Sequence, residues 1–298
     1  MRQIAARDFI AIGAAMTRVS GAVCAVLSVV CLGSAARAAV TEVDIGINPT
    51  YSQTGPTTVT STGGFFSARA FLDSSSDFDG GTLTYTPPAG SPTTVGSLTP
   101  VSGSQPYLVY QPGSYPTVAD LDAAYPYGTY TFNLTNSSSS ATATDSIDYT
   151  VNSDSNVPSL TASSYNALQG LNAYTGGVVE FNTDVPGAGA NFAEIFLNVD
   201  NGSGSSVYSA SGAYTATSFD IPGGVLSPGT SYTLDLNFDD RITGTDGNST
   251  PTVIFFDTHT EVAFTTAGGV PEPAAWAFML LGFGLTGAAL RRRSAAAA

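Results

Sequence analysis

The chain has 298 residues and a formal net charge of −14 at pH 7, from nine arginines, no lysine and 23 acidic residues. Glycine supplies 32 residues and tyrosine 14, while charged residues make up only 11%. So few cations exclude nucleic acid as a partner, because neutralising phosphate takes lysine and arginine. A single histidine likewise excludes a His-rich metal site.

The N-terminus carries Arg2, Arg7 and Arg18, then an apolar run from Gly21 to Gly33 and Ala36-Arg37-Ala38. This pattern predicts a secretory signal peptide over 1–38, handled by the Sec translocon and cut by signal peptidase after Ala38, with Ala36 and Ala38 as its small residues. An uncleaved anchor is the competing reading, and Met16 is a second candidate start. Both cysteines, Cys24 and Cys31, fall in this leader. The mature chain would then have no disulfide, thiol chemistry or cysteine metal site. Between Ala39 and Val270 only Arg69 and Arg241 oppose 21 acids, a net of −19. Such a surface repels polyanions and attracts divalent cations.

Short alternating runs recur through the body: Val43–Ile47, Ser146–Val151, Ala193–Val199 and Tyr232–Phe238. Bounded by Gly, Pro, Asn and Ser, they predict strands of an all-β fold, with no amphipathic helix of useful length. One pattern occurs twice. Gly128-Thr129-Tyr130 and Gly229-Thr230-Ser231-Tyr232 each open an alternating run, with the tyrosines 102 residues apart. That offset is the size of one immunoglobulin-like unit, and it makes Tyr130 and Tyr232 candidates for the tyrosine corner of two tandem antiparallel β-sandwiches. Two unrelated turns are the alternative. The expected division is sandwich 1 over 39–152, a polar linker over 153–158, and sandwich 2 over 159–268. Residues 158–268 resemble bacterial Ig-like domains of surface proteins, through Leu226–Leu234, Thr245-Asp246-Gly247-Asn248 and Val262–Thr266.

The body carries little that points to catalysis. His259 reads as a loop residue, and adjacent carboxylates such as Asp239-Asp240 would point to opposite faces of a strand. The expectation is that the chain is not an enzyme and needs no resident cofactor. Calcium is the one candidate, because it takes six to eight oxygen ligands and Asp/Asn loops supply them. Its donors would be Asp77 and Asp79, before Gly80-Gly81, and Asp240 and Asp246, grouped with Asp239 and Asn248 in one predicted loop. Turn formation is the competing role for all of these residues. The Ser/Thr-rich stretch from Asn136 to Thr144 fits an exposed loop or a glycosylated one.

The C-terminus is the most specific part. Pro271-Glu272-Pro273 precedes an uncharged run to Leu290, and Arg291-Arg292-Arg293 follow. The eighteen residues 273–290 would reach ~27 Å as a helix, close to a hydrocarbon core of ~30 Å. Trp276 suits one interface and the arginines the cytoplasmic side, so the body would lie outside. A plain membrane anchor and a buried helix are the simpler alternatives. The residues Pro271, Glu272, Pro273, Trp276 and Ala277, the Met279–Gly287 run and Arg291, Arg292 and Arg293 closely resemble the PEP-CTERM sorting signal, which would occupy 269–298. The resemblance implies a Gram-negative bacterium, an exosortase-like membrane transpeptidase as processing partner, and association with an exopolysaccharide or biofilm system. It implies export across the inner membrane, transient anchoring by the C-terminus, then a surface or extracellular location. The first functional expectation is therefore a noncatalytic surface or matrix protein. The alternatives are a carbohydrate-binding module that retains exopolysaccharide and, behind it, a secreted hydrolase.

Overall fold

The computed structural model describes residues 39–150, 156–268 and 277–283. The expected leader, with Ala36 and Ala38, lies outside them, as do residues 153–155 of the 153–158 linker and most of the sorting segment.

The alternating runs are strands, as their period predicts. The first half contains β1 (Val40–Gly55), β2 (Thr58–Leu72), β3 (Gly80–Thr86), β4 (Thr93–Val101), β5 (Tyr107–Tyr110), β6 (Ser114–Tyr115), helix α1 (Val118–Ala124), β7 (Gly128–Thr135) and β8 (Thr142–Tyr149). The second contains helix α2 (Ala162–Leu168), β9 (Gly176–Glu180), β10 (Phe192–Asn201), β11 (Ser206–Ala213), β12 (Ser218–Pro222), β13 (Ser231–Thr245) and β14 (Pro251–Thr265). The two seven-residue helices escape the apolar-period reading because each is too short to show a stripe. Their caps are visible in the sequence: the side chain of Thr117 accepts from Asp120 N, and that of Thr161 from Ser164 N.

The strands form a sandwich-like arrangement around one long sheet, ordered β11-β10-β13-β14-β1-β2-β5. β1 and β14, near opposite ends of the body, pair in parallel from Val43↔Thr252 to Ser52↔Glu261. β4 pairs with β5 through Thr99–Val101 and with β3 through Thr93–Leu98, and so carries the chain into the facing layer β4-β3-β7-β8. A two-stranded sheet, β12-β9, faces the other half.

Alternation explains how one sheet serves two cores. Side chains two apart on a strand share a face. On β14, Ile254 and Phe256 join the first core, and Val262 and Phe264 the second. On β13, Leu234, Leu236 and Phe238 belong to the second core, while Ile242 packs against the first. The two cores therefore lie side by side on the same face of β13 and β14. Where tandem sandwiches would each own two sheets, these halves share their backing strands. Burying a side chain such as Phe238 or Phe256 completely contributes about 1.5–3 kcal/mol.

Both tyrosine corners are formed. The Tyr130 hydroxyl donates to Pro126 O at 3.0 Å, and the Tyr232 hydroxyl accepts from Ser227 N at 2.8 Å. The glycine before each is required. Gly229 has φ +63, and a Cβ on Gly128 would stand 2.5 Å from Thr86 O.

Gln53 ties the halves together. It lies on the inner face of β1, only 2% exposed. Its Oε1 accepts from Leu160 N at 2.8 Å, and its Nε2 donates to Leu160 O at 3.2 Å. Substituting Gln53→Leu strands both backbone groups, each at a cost of about 1–3 kcal/mol. The expected result is a lower urea midpoint with an unchanged slope; an unchanged midpoint would show that the clamp contributes nothing.

Candidate functional site

The two arginines of the body, Arg69 and Arg241, meet on the outer face of the long sheet. Asp44 and Arg69 are cross-strand partners, and Arg69 Nη2 lies 2.8 Å from Asp44 Oδ2. Arg241 reaches back two residues along β13 to Asp239, with Nε donating to both carboxylate oxygens at 3.0 and 2.9 Å and Nη2 closing the fork. Both guanidiniums lie over the Phe255 ring, at 5.7 and 4.9 Å from its centroid. Arg69 also covers Phe71, and Arg241 covers Phe192. Beneath this lid Asp44 and Asp239 have no exposed surface. Burial pushes Asp44 up to about 6 against the opposing pull of Arg69. Asp257, opposite Asp239 in the register, is raised by burial and by the Asp239 charge.

His259 follows on the same face of β14. It is a strand residue, where a loop was expected. Its Nδ1 lies 3.2 Å from both oxygens of Asp235. Burial works to lower its pKa, but the Asp235 carboxylate outweighs that and raises it to about 9.

The inner face carries a polar seam between the two cores. Asp240 falls there, between Phe238 and Ile242, and has no exposed surface. Its partner across β14 is Phe256; Thr258 and Thr260 continue the same face toward Val262, opposite Phe238 and Leu236. The loop from Asn182 to Asn191 lies against this seam. Gly187 N donates to Asp240 Oδ2 at 3.0 Å, Asn191 Nδ2 donates to Thr243 O at 2.9 Å, and Val185 N donates to Asn156 Oδ1 at 2.7 Å. These anchors bring Asp184, 3% exposed, to Asp240. Neither Asp184 carboxylate oxygen accepts a well-formed hydrogen bond: the adjacent Val185 N–H favours the charged carboxyl by its proximity but donates to Asn156 Oδ1. Burial, then the Asp240 charge, pushes Asp184 up to about 7.

The sequence-predicted calcium donors do not gather as expected. Asp77 Oδ2 accepts from Ser74 N at 3.0 Å. Asp79 accepts from Ser137 N and the Ser137 hydroxyl, which hold its carboxyl below the usual range. Both acids thus close the loop before β3. Asp246 Oδ1 accepts from Asn248 N and Thr250 N, both at 2.8 Å, which forms the β13–β14 turn. Asp239 and Asp240 are not in that loop, because β13 runs on to Thr245 and sends them to opposite faces. Among the described residues no three acidic, histidine or cysteine side chains converge on a metal-sized site. Asp184 was missed because the stretch Asn182–Asn191 reads only as a Pro/Gly turn; its burial is a tertiary effect. A shallow groove of about 200 Å³ lies beside the β13–β14 turn, lined by Ser146, Ile147, Asp148, Asp246 and neighbouring residues, none of them aromatic.

Of the sorting segment, residues 277–283 are described and helical. Ala277 opens this stretch. Phe278, Leu280 and Phe283 are each more than 70% exposed, an apolar surface that water disfavours. Pro271, Glu272, Pro273, Trp276 and Arg291–Arg293 lie outside the described residues. No helix among the described residues is long and apolar enough to cross a membrane.

Residues 269–293 match the PEP-CTERM protein-sorting motif. No curated protein matches the chain. Solved structures that are similar in part include the following two. One is a biofilm-associated protein BSP domain, at 15% identity and a TM-score of 0.21, covering 76% of this chain and 30% of that one. The other is the chicken CNTN1 FN1–FN3 domains, at 7% identity and a TM-score of 0.26, covering 76% and 68%. The match thus spans less than a third of the biofilm-associated chain.

Proposed function

We propose that the chain is a noncatalytic exported protein of the cell surface or extracellular matrix. The sorting motif itself implies export and handling by an exosortase-type membrane system. In this reading the leader is cut by signal peptidase after Sec-dependent export. Residues 273–290 then hold the protein transiently in the membrane until a transpeptidase of the exosortase kind removes the basic tail. The supporting observation is a coincidence in one segment: the motif match at 269–293 overlaps a helical stretch whose large apolar side chains face outward. The body is then the delivered cargo. Its surplus of acids suits a hydrated matrix and disfavours contact with polyanionic polymers.

Intact mass of surface-extracted protein checks the proposal. The expected product lacks residues near both ends, and a Pro271-Glu272-Pro273 to triple-alanine variant accumulates in the membrane fraction with Arg291–Arg293 retained. Wild-type surface material that still carries those arginines would overturn processing.

A further inference from the structure

We propose that Asp184 and Asp240, at the seam between the two cores, form a divalent-cation site, with calcium as its ligand. Asp184 carries the inference: it is almost fully buried, yet neither carboxylate oxygen accepts a well-formed hydrogen bond. A buried, unpartnered carboxylate is strongly unfavourable unless something compensates its charge. Asp240 aggravates the cost, because it places a second buried carboxylate beside the first. Neither arginine relieves the pair. Arg69 is committed to Asp44 and Arg241 to Asp239, both on the outer face of the sheet. A cation is the group this arrangement lacks.

The donor set selects the kind of cation. The side chains at the seam offer oxygen: the Asp184 and Asp240 carboxylates, with the buried hydroxyl of Thr258 diagonal to Asp240 on β14. Hard oxygen donors without imidazole or thiolate favour calcium or magnesium over zinc or copper. Calcium is the better fit, because its flexible coordination accepts an irregular loop whereas magnesium demands near-ideal octahedral geometry. Two carboxylates match its charge, and backbone carbonyls and water complete the shell. Bound there, the ion would pin the Asn182–Asn191 loop to β13 and join the two cores. The inference does not rest on how the protein is sorted.

Melting curves of the mature protein test it, in chelator, in sodium and magnesium at matched ionic strength, and in rising calcium. The wild type is expected to gain about 5–10 °C over a hundredfold range of calcium above the dissociation constant, beyond the gain in sodium or magnesium. Asp184→Asn is expected to melt higher than wild type in chelator, because it removes a buried charge, and to lose the calcium-specific gain. Asp79→Asn and Asp246→Asn are expected to keep it. Calorimetric titration should give one calcium per wild-type chain and none for Asp184→Asn. Equal gains in calcium and sodium, a calcium gain that survives Asp184→Asn, or no bound calcium by calorimetry would overturn the proposal. A pair that merely shares a proton would show the third result.

Discussion

Arg241→Met is expected to destabilise the protein by about 3–5 kcal/mol, the loss typical when one partner of a buried ion pair is removed. Asp239 has no exposed surface, and the fork from Arg241 is what compensates its charge. Asp257 lies directly opposite in the β13–β14 register, so the stranded Asp239 would also face a second acid across the strands. The substitution further uncovers Phe255 and Phe192, over which the guanidinium lies. Methionine fills part of the space but carries no charge.

Adding Asp239→Asn to Arg241→Met is expected to recover most of the loss, because it removes the stranded charge. A urea-denaturation cycle over wild type, both single variants and the double variant measures the coupling. A loss below about 1 kcal/mol for Arg241→Met would place the pair with exposed salt bridges and count against the sealed outer face. Arg69→Met tests the same mechanism at Asp44.

These two arginines show where the sequence is legible and where it is not. Their isolation among 21 acids is plain in the sequence. That they meet over one phenylalanine is not, because the meeting depends on β14 pairing in parallel with β1. Local period predicts Val43–Ile47 and Tyr232–Phe238 as strands with one polar face, since alternation is a property of a single strand. It does not predict that Asp44, Asn48 and Asp239 are buried, because their cover comes from residues far along the chain. The tyrosine corners are readable for the opposite reason, each hydroxyl bonding backbone within five residues of itself. The calcium reading from sequence names Asp77, Asp79, Asp240 and Asp246; Asp77, Asp79 and Asp246 have the spacing of turns and are used as turns, while Asp240 is a buried residue of β13. Asp184 has no local signature; its orphaned oxygens follow from the Asn182–Asn191 loop meeting the seam between the cores.

The pH dependence of stability should run opposite to that of a protein held by surface carboxylate pairs. In chelator, the melting temperature is expected to be higher near pH 5 than near pH 8. Asp44 is raised from 3.8 to about 6 in the folded state. A folded pKa above the unfolded one means that the folded state binds the proton more tightly, so stability is gained on acidification and lost as pH rises through about 6. Asp257 is displaced in the same direction. His259 extends the trend upward: its contribution is complete below its unfolded value of 6.5 and disappears as pH rises through about 9. Acidification also reduces the self-repulsion of a strongly negative body. Asp79 opposes the trend, because its lowered pKa contributes only above the ordinary carboxylate range and that contribution is lost in stronger acid. The curve should therefore rise from pH 9 toward pH 5 and turn over at lower pH. Asp44→Asn is expected to flatten it between pH 7 and pH 5, and His259→Gln between pH 9 and pH 7. A wild type that melts higher at pH 8 than at pH 5 would mean that the buried acids of the sheet are not held in the strained, charge-averse state that their burial under the arginine lid requires.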